Sequence, residues 1–275
     1  MFLAIDVGNT QTTLGLFRED GSLARGWRMS TDASDTADML HARLLSFFAK
    51  DGLALDDASE AGVASVVPAL ERAWERCLTA HLGKAPLVVR ASEGYGMEVA
   101  MPDPRQVGAD RIANAIAARK TYGSPVIVVD FGTATNIDVV DQRGRYRGGA
   151  ISPGLMLSAN ALFSRAARLA SVPIEAPARA LGDSTESALQ SGLVIGAAAQ
   201  AEGLVARIRA ELGAPDATVV GTGGLAGTVA QATDLFDAVD PDLTLRGIRE
   251  IWLWEQACRG RRDRVPGESV MKRIS

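Results

Sequence analysis

The sequence is poor in the residues that build several common classes of site. It contains two cysteines, Cys77 and Cys258, and two histidines, His41 and His81, among 275 residues. Thiol and imidazole groups so few and so far apart argue against a structural zinc site and against a disulfide framework. They favour free thiols in a reducing compartment, so we expect a cytoplasmic protein.

Long apolar runs and an excess of positive charge are also missing. No stretch of about 18 apolar residues could cross a membrane, and residues 1–6 lack the basic region of a secretion signal. The formal net charge is −4. A field of this sign does not attract nucleic acid or an anionic membrane, so we expect neither as a partner. An anionic ligand must then be bound by local groups, such as backbone amides, a metal ion or single arginines.

The sequence does contain a pattern that occurs twice. An apolar strand ends in Asp6-x-Gly8 and is followed by two more strands, and the same order recurs from Asp130-x-Gly132. A shift of 124 positions places the second carboxylate and glycine on the first. We interpret this pattern as an internal duplication. The strands predicted for the two copies are residues 2–5, 12–17 and 23–29, then 125–129, 136–140 and 146–151.

Helical periodicity follows each set of strands. Strands joined first as hairpins and then through helices, twice over, indicate an α/β fold of two domains with a ligand cleft between them. We expect the domains at residues 1–118 and 119–258, with 259–275 as a flexible tail. The remaining predicted elements are helices over 36–50, 68–81, 109–122, 153–168, 184–211 and 225–231, and strands over 62–67, 87–89 and 217–220.

Three glycine-containing turns are suited to a nucleotide. Asp6–Thr10 and Asp130–Thr135 offer backbone N–H groups and hydroxyls to phosphate oxygens, and Asp6 can hold hydrated Mg²⁺. Either turn alone is as well explained as an ordinary β-turn, but two of them in a duplicated fold can face one nucleotide from opposite sides. Gly221–Leu225, between a strand and a helix, suits contact with adenosine. The Gly-Lys-Ser/Thr sequence of a P-loop is absent, which disfavours that class.

A carboxylate also stands at the start of the helix predicted after Gly108. Asp110 lies in its first turn, where the helix dipole favours a negative charge, and this is a sufficient structural explanation. The functional alternative is a general base that accepts the proton of an attacking hydroxyl. Arg111 beside it could bind a substrate carboxylate or a phosphate oxygen. Gly148–Gly154 is expected to line the cleft, whereas Ser184-Thr185 is explained by helix capping.

Together these motifs resemble type III pantothenate kinases in order and spacing, over about residues 2–252. The resemblance implies a fold of two duplicated actin-like (ribonuclease H-like) domains and a homodimer. It also implies ATP-dependent phosphorylation of pantothenate to 4′-phosphopantothenate, the first step of coenzyme A biosynthesis. The segments that carry it are Asp6–Thr10, Gly108–Arg111, Asp130–Thr135, Gly148–Gly154 and Asp240-Pro241-Asp242-Leu243-Thr244-Leu245.

The resemblance also implies ligands and residue roles. Mg²⁺ accompanies ATP, and a monovalent cation, K⁺ or NH₄⁺, is bound by Asp130. Asp110 is the proton acceptor. The ATP contacts are Asp6, Val7, Gly8, Asn9, Thr10, Gln11, Thr12, Thr13 and Thr133. The pantothenate contacts are Met101, Gly108, Ala109, Asp110, Arg111 and Thr185.

One position departs from the family pattern. Where the family usually has Tyr-Asp-Asn-Pro, this sequence reads Met101-Pro102-Asp103-Pro104. A thioether cannot donate the hydrogen bond of a Tyr hydroxyl, so pantothenate binds more weakly or another group substitutes. A kinase for another small hydroxy acid therefore stays open. So does a non-catalytic regulatory member, which the intact carboxylates argue against, and a filament-forming actin relative, which the short chain disfavours.

Overall fold

Two five-stranded sheets form the framework of the chain. The computed structural model describes residues 1–165 and 171–262. The first sheet contains β1 (Phe2–Val7), β2 (Gln11–Phe17), β3 (Leu23–Ser30), β4 (Glu60–Ser65) and β5 (Leu87–Val88). The second sheet contains β6 (Val126–Phe131), β7 (Ala134–Val140), β8 (Tyr146–Pro153), β9 (Thr218–Thr222) and β10 (Ala238–Val239).

The two sheets share one connectivity. The strand order is β3-β2-β1-β4-β5 in the first and β8-β7-β6-β9-β10 in the second. In each sheet the three hairpin-linked strands pair antiparallel, and the strands reached through a crossover pair parallel. The predicted α/β class and the duplication are therefore confirmed.

Helices α1 (Ala37–Lys50) and α2 (Pro68–Leu82) cover the outer face of the first sheet. The side chain of Thr36 caps α1 by accepting a hydrogen bond from the Met39 amide, and a proline begins α2. Apolar residues four positions apart on α1 face the sheet, so their burial fixes the helix. The large buried side chains of this core include Leu14, Leu40, Leu44, Phe48 and Trp74.

Helices α4 (Leu155–Arg165), α5 (Thr185–Gln190), α6 (Gly196–Leu212) and α7 (Ala226–Val229) accompany the second sheet. The single helix predicted over 184–211 is interrupted by a π turn at Ser191–Ile195, which the hydrophobic periodicity does not reveal. The predicted end of α4 at residue 168 lies outside the described residues.

Helices α3 (Ala109–Tyr122) and α8 (Leu243–Arg262) lie against each other and join the two halves. A β-carbon at Gly247 of α8 would collide with the Ala113 carbonyl of α3, so a glycine is required for this close approach. Their core combines side chains of the two helices, such as Ile112 and Ile248, with residues of both sheets, such as Ala4 and Val128.

Helix α8 has no counterpart among the elements predicted from the sequence. Arginines and a glutamate interrupt its apolar positions, which hides the helical period. The predicted tail from residue 259 begins inside this helix, which continues to Arg262, and residues 263–275 lie outside the described ones. Because α8 packs on β1 and β4 and α3 packs on β6 and β7, each sheet receives a helix from the other half. The boundary at 118/119 stays a prediction.

Candidate active site

A cavity of about 630 Å³ lies between the ends of the two sheets. It opens where the turns after β1 and β6 approach each other, as expected for a cleft in a duplicated α/β fold. The charged and hydroxyl-bearing residues around it are Asp6, Thr10, Thr13, Arg28, Asp110, Arg111, Asp130, Thr133, Thr222 and Thr244.

The two predicted phosphate turns meet at the mouth of this cavity. Thr10 Oγ1 and Thr133 Oγ1 are 2.9 Å apart and share a hydrogen bond. Each turn is closed by its glycine: the Gly8 amide donates to the Gln11 carbonyl, and the Gly132 amide donates to the Ala134 carbonyl. The pairing expected from the duplication is thus present, with hydroxyls from both halves at one point.

Main-chain atoms of neighbouring loops pack closely against the second phosphate turn, Asp130–Thr135. A β-carbon at Gly154 would collide with the carbonyl oxygens of Gly132 and Thr133. Gly223 has φ at +89°, and a β-carbon there would collide with the Asp130 carboxylate. Only glycine fits at these two positions, so the loops after β8 and β9 form a wall of main-chain groups beside Asp130.

Asp6 is the next-to-last residue of β1 and lines the cavity. Its pKa is well above the ordinary carboxyl value, first because of burial and then because of the negative charges of Asp110 and Asp130. A site that raises the pKa of three neighbouring carboxyls is electrostatically prepared for a cation.

Asp110 lies in the first turn of α3, and Gly108 is the N-cap of that helix. The Asp110 Oδ1 atom accepts a 2.8 Å hydrogen bond from the Arg111 amide. A β-carbon at Gly108 would occupy the space of this oxygen, so the glycine lets the carboxylate fold back over the helix end. Burial raises the pKa of Asp110, and the hydrogen bond and charge of Arg111 oppose that shift. A carboxyl of raised pKa at the cavity wall can act as a proton acceptor.

Asp130 is the next-to-last residue of β6, and a side chain of α3 holds its carboxylate in place. Asn114 Nδ2 donates to Asp130 Oδ2 at 3.0 Å, and Asn114 Oδ1 accepts from Thr244 Oγ1 at 2.7 Å. Burial, followed by the charges of Asp110 and Asp138, raises the pKa of Asp130 to about 7, and the Asn114 hydrogen bond opposes the shift. One carboxylate is therefore held by a chain of side chains that crosses from β6 through α3 to α8.

Arg111 is engaged inside the protein. Its Nε donates to Asp138 Oδ1 at 2.8 Å, its Nη2 lies 2.7 Å from the same atom, and the Tyr146 hydroxyl donates to it at 2.6 Å. Asp138 is fully buried and Arg111 is 13% exposed. Burial raises the pKa of Asp138 to about 6 against the opposing effect of Arg111. The Nε and Nη2 atoms of Arg111 already bind a buried carboxylate. Only the part of the guanidinium that lines the cavity is available to a ligand.

Three polar groups of this site carry no predicted role. Asn114 and Asp138 lie outside the predicted motifs, and Thr244 lies in the Asp240–Leu245 segment without a role of its own; all three contribute through the contacts described above. Two of them have a signal in the sequence: Asn114 lies four residues after Asp110 on one helix face, and Asp138 is a charged residue between the apolar Ile137 and Val139.

Not every predicted site residue reaches the cavity. Its lining includes Asp6, Gly8, Asn9, Thr10, Gln11, Thr13, Gly108, Asp110, Arg111, Asp130 and Thr133. Val7, Thr12 and Ala109 are buried behind it. Thr185 is the exposed first residue of α5 and lies outside this cavity, as does Met101.

Comparison with known proteins decides the family. A family model described as type III pantothenate kinase matches residues 2–207. The chain belongs to the type III pantothenate kinase family. A type III pantothenate kinase of Moorella thermoacetica is 43% identical over 252 residues, which cover 92% of this chain and 98% of the relative. One of Listeria monocytogenes is 41% identical, with coverage of 92% and 96%.

Solved structures share the fold of this kinase family member at low sequence identity. A Campylobacter jejuni chain assigned to the Baf family of transcriptional activators superimposes with a TM-score of 0.60 at 17% identity, covering 93% of this chain and 99% of that one. The activator of 2-hydroxyisocaproyl-CoA dehydratase from Clostridium difficile gives 0.56 at 13% identity, with coverage of 100% and 99%. These likenesses establish the fold alone.

Met101, where the family usually has tyrosine, packs on the second sheet. A β-carbon at Gly148 would meet the Met101 sulfur at 2.7 Å, so the thioether rests on this glycine of β8. The preceding residue is fixed there because the Ala100 amide donates to the Tyr146 carbonyl at 2.9 Å. The substitution is therefore accommodated by packing against backbone.

The donors around the cavity fit a divalent cation that arrives with a nucleotide. Within residues 1–165 and 171–262, no three His, Cys, Asp or Glu side chains are arranged to hold a metal ion by themselves. Mg²⁺ in phosphoryl-transfer sites is commonly held by one or two carboxylates together with substrate phosphates, and Asp6 lines the cavity as such a carboxylate. Across the same two ranges, no helix is long and apolar enough to span a membrane.

Proposed function

We propose that this chain transfers the γ-phosphoryl group of ATP to the 4′-hydroxyl of pantothenate, which yields 4′-phosphopantothenate and ADP and opens coenzyme A biosynthesis. Its family supports the substrates. The observation that carries the chemistry is Asp110, a carboxylate of raised pKa that lines the same cavity as both phosphate turns.

In this mechanism Asp110 orients the 4′-hydroxyl and accepts its proton. The hydroxyl oxygen forms a bond to the γ-phosphorus as the bond from that phosphorus to the β,γ-bridging oxygen breaks, and ADP leaves. The proton passes from Asp110 to solvent. Phosphoryl transfer depends mainly on positioning and charge neutralisation, so one oriented carboxylate is sufficient protein chemistry at the acceptor.

The nucleotide contacts come from both halves. Residues 6–13 and Thr133 present amides and hydroxyls to the phosphates, and the Thr10–Thr133 hydrogen bond supports this assignment because it brings the two turns to one point. The Gly221–Leu225 turn, at the end of β9, suits the nucleoside.

Two cations complete the proposed site. Asp6 would hold Mg²⁺, which neutralises the charge on the β- and γ-phosphates. Asp130 would hold K⁺ or NH₄⁺, and its support is a buried carboxylate beside main-chain groups, fixed by Asn114. Oxygen donors of this kind suit alkali cations.

For pantothenate we propose contacts with Gly108, Ala109, Asp110 and Arg111 at the start of α3, and with Met101 and Thr185. The first group borders the cavity or lies directly behind it. The last two lie outside it in a single chain, so their contact requires either closure of the cleft or a second copy of the chain.

Exposed apolar side chains support the association of two copies of the chain. Several large apolar side chains on β8, on α4 and before α5 are exposed: Ile151, Met156, Leu157, Leu162 and Leu181. We propose that they pack in a homodimer. Leu162→Glu should then produce monomers in analytical ultracentrifugation, whereas Leu45→Glu, at an exposed leucine of α1, should leave dimers. Monomeric wild-type protein would contradict the homodimer.

The two free thiols, Cys77 and Cys258, support a cytoplasmic location. The decisive experiment for the activity is a coupled assay of ADP release, run with pantothenate, with other small hydroxy acids and without acceptor. We expect release only with pantothenate. Turnover with a different acid alone would favour a related kinase, for which the Met101 substitution is the supporting observation, and no turnover at all would favour a non-catalytic family member.

A further inference from the structure

The cavity contains one arginine with no assigned role. Five charged residues line it: Asp6, Arg28, Asp110, Arg111 and Asp130. Three of these are carboxylates, so the lining has more acidic than basic groups before any cation binds. A polyanionic nucleotide entering such a site needs positive groups, and the protein offers two.

The two arginines differ in their partners. Arg111 is paired with the buried Asp138. Arg28 is exposed, and within the described parts of the chain it makes neither a hydrogen bond nor an ion pair with another side chain. Its guanidinium is therefore available to a ligand without loss of an existing interaction.

Strand register places Arg28 on the cavity face. Asp6 of β1 lies opposite Thr13 of β2, and Thr13 lies opposite Arg28 of β3. Residues directly opposite each other across paired strands project to the same face of a sheet, so these three side chains form a row across the floor of the cleft. With neighbouring strands about 4.8 Å apart, the Arg28 backbone lies roughly 10 Å from that of Asp6.

The strand register also places Arg28 near the first phosphate turn. Two residues along β3 from Arg28, Ser30 pairs with Gln11 of the first phosphate turn. Asp110 approaches from the other side of β1, the side of β4, where Gly108 lies beside Val66. Arg28 and Asp110 therefore approach Asp6 from opposite sides, so that a terminal phosphate beside Asp6 lies between the guanidinium and the acceptor hydroxyl.

We propose that Arg28 binds the terminal phosphate of the nucleotide. The proposal rests on the kinase function above. A planar guanidinium can donate two parallel hydrogen bonds to a phosphate, which positions the group as well as neutralising it. Arg28 also offsets the charge that Asp6 contributes to the floor.

The test is calorimetric binding of ADP and of a non-hydrolysable ATP analogue, each with Mg²⁺ and without acceptor. Arg28→Met should weaken binding of the ATP analogue about 10- to 100-fold, as for loss of a charged hydrogen bond. It should change ADP binding by less than about threefold. Arg28→Lys should fall between, because a lysine keeps the charge but not the paired donors.

The matched control is Arg25→Met, an arginine on the same strand that pairs with Asp51 instead of facing the cavity. It should bind both nucleotides as wild type does. Equal binding of the ATP analogue by Arg28→Met and wild type, or an equal loss of affinity for ADP and for the ATP analogue, would overturn the inference while leaving the kinase function intact. Failure of the wild-type protein to bind the ATP analogue would overturn both.

Discussion

The two turns of this duplicated chain occupy equivalent places and are built differently. Asp6 and Asp130 each lie one residue before the end of the central strand of a sheet, and both have raised pKa values. Both line the cavity, but Asp130 is fixed by Asn114 and closely surrounded by backbone, whereas Asp6 makes no side-chain hydrogen bond within the part of the chain that the structure describes. Duplication supplied two carboxylates, and the helices packed behind them made one rigid and left the other free. We interpret the free one as the partner of a hydrated divalent ion and the fixed one as the ligand of a monovalent ion.

Among changes to the two turns, the largest effect should follow from removing the free carboxylate, Asp6. Asp6→Asn keeps the shape of the turn but removes the charge expected to hold Mg²⁺, so kcat should fall about 10²–10³-fold. Steady-state kinetics over a range of Mg²⁺ concentrations would measure this loss. If excess Mg²⁺ restored full activity, Asp6 would have no more than a weak share in the metal site.

The fixed carboxylate should respond to a different cation. Wild-type activity should require K⁺ or NH₄⁺ and collapse in Na⁺ or Tris alone. Asp130→Asn should be poorly active in all four buffers, because the ligand is gone whichever ion is supplied. Equal wild-type rates in these buffers would remove this role from Asp130 and would erase the functional difference between the turns.

The hydrogen bonds that hold Asp130, from Asn114 and indirectly from Thr244, can be removed without changing either carboxylate. Asn114→Leu removes the hydrogen bond to Asp130 and should raise the K⁺ concentration needed for half-maximal activity about tenfold, the lower range for a charged hydrogen bond. Thr244→Val removes only the outer hydrogen bond and should change it by less than about threefold. A titration with K⁺ for both variants provides the comparison. Unchanged K⁺ dependence in Asn114→Leu would mean that the rigidity of Asp130 has no role.

A further prediction concerns Met101, which lies outside the cavity that the two turns line. If the family's tyrosine hydroxyl is uncompensated here, Met101→Tyr should lower KM for pantothenate by roughly 2- to 13-fold, the range for one neutral hydrogen bond. KM for ATP should stay constant, since the residue lies outside the nucleotide cavity. Weaker pantothenate binding by the variant would indicate that the packing of the thioether on Gly148 matters more than a new donor.

The sequence predicts those parts of the site that depend on near neighbours. Both phosphate turns follow from an apolar strand ended by Asp-x-Gly, and the position of Asp110 follows from its helix start. The contact between Asn114 and Thr244 spans 130 positions and depends on α8, a helix whose charged residues conceal its period. The pairing of Arg111 with Asp138 likewise depends on how α3 packs on the second sheet, which no local pattern encodes.

The most direct test of the account is the single-turnover rate of phosphoryl transfer to pantothenate in Asp110→Asn. The change is nearly isosteric and removes only the proton acceptor. We expect the rate to fall about 10²–10⁴-fold, while ATP affinity and thermal unfolding stay close to those of wild type. A rate within about threefold of wild type, far below the range for a positioned base, would contradict the assignment of Asp110 as the catalytic base.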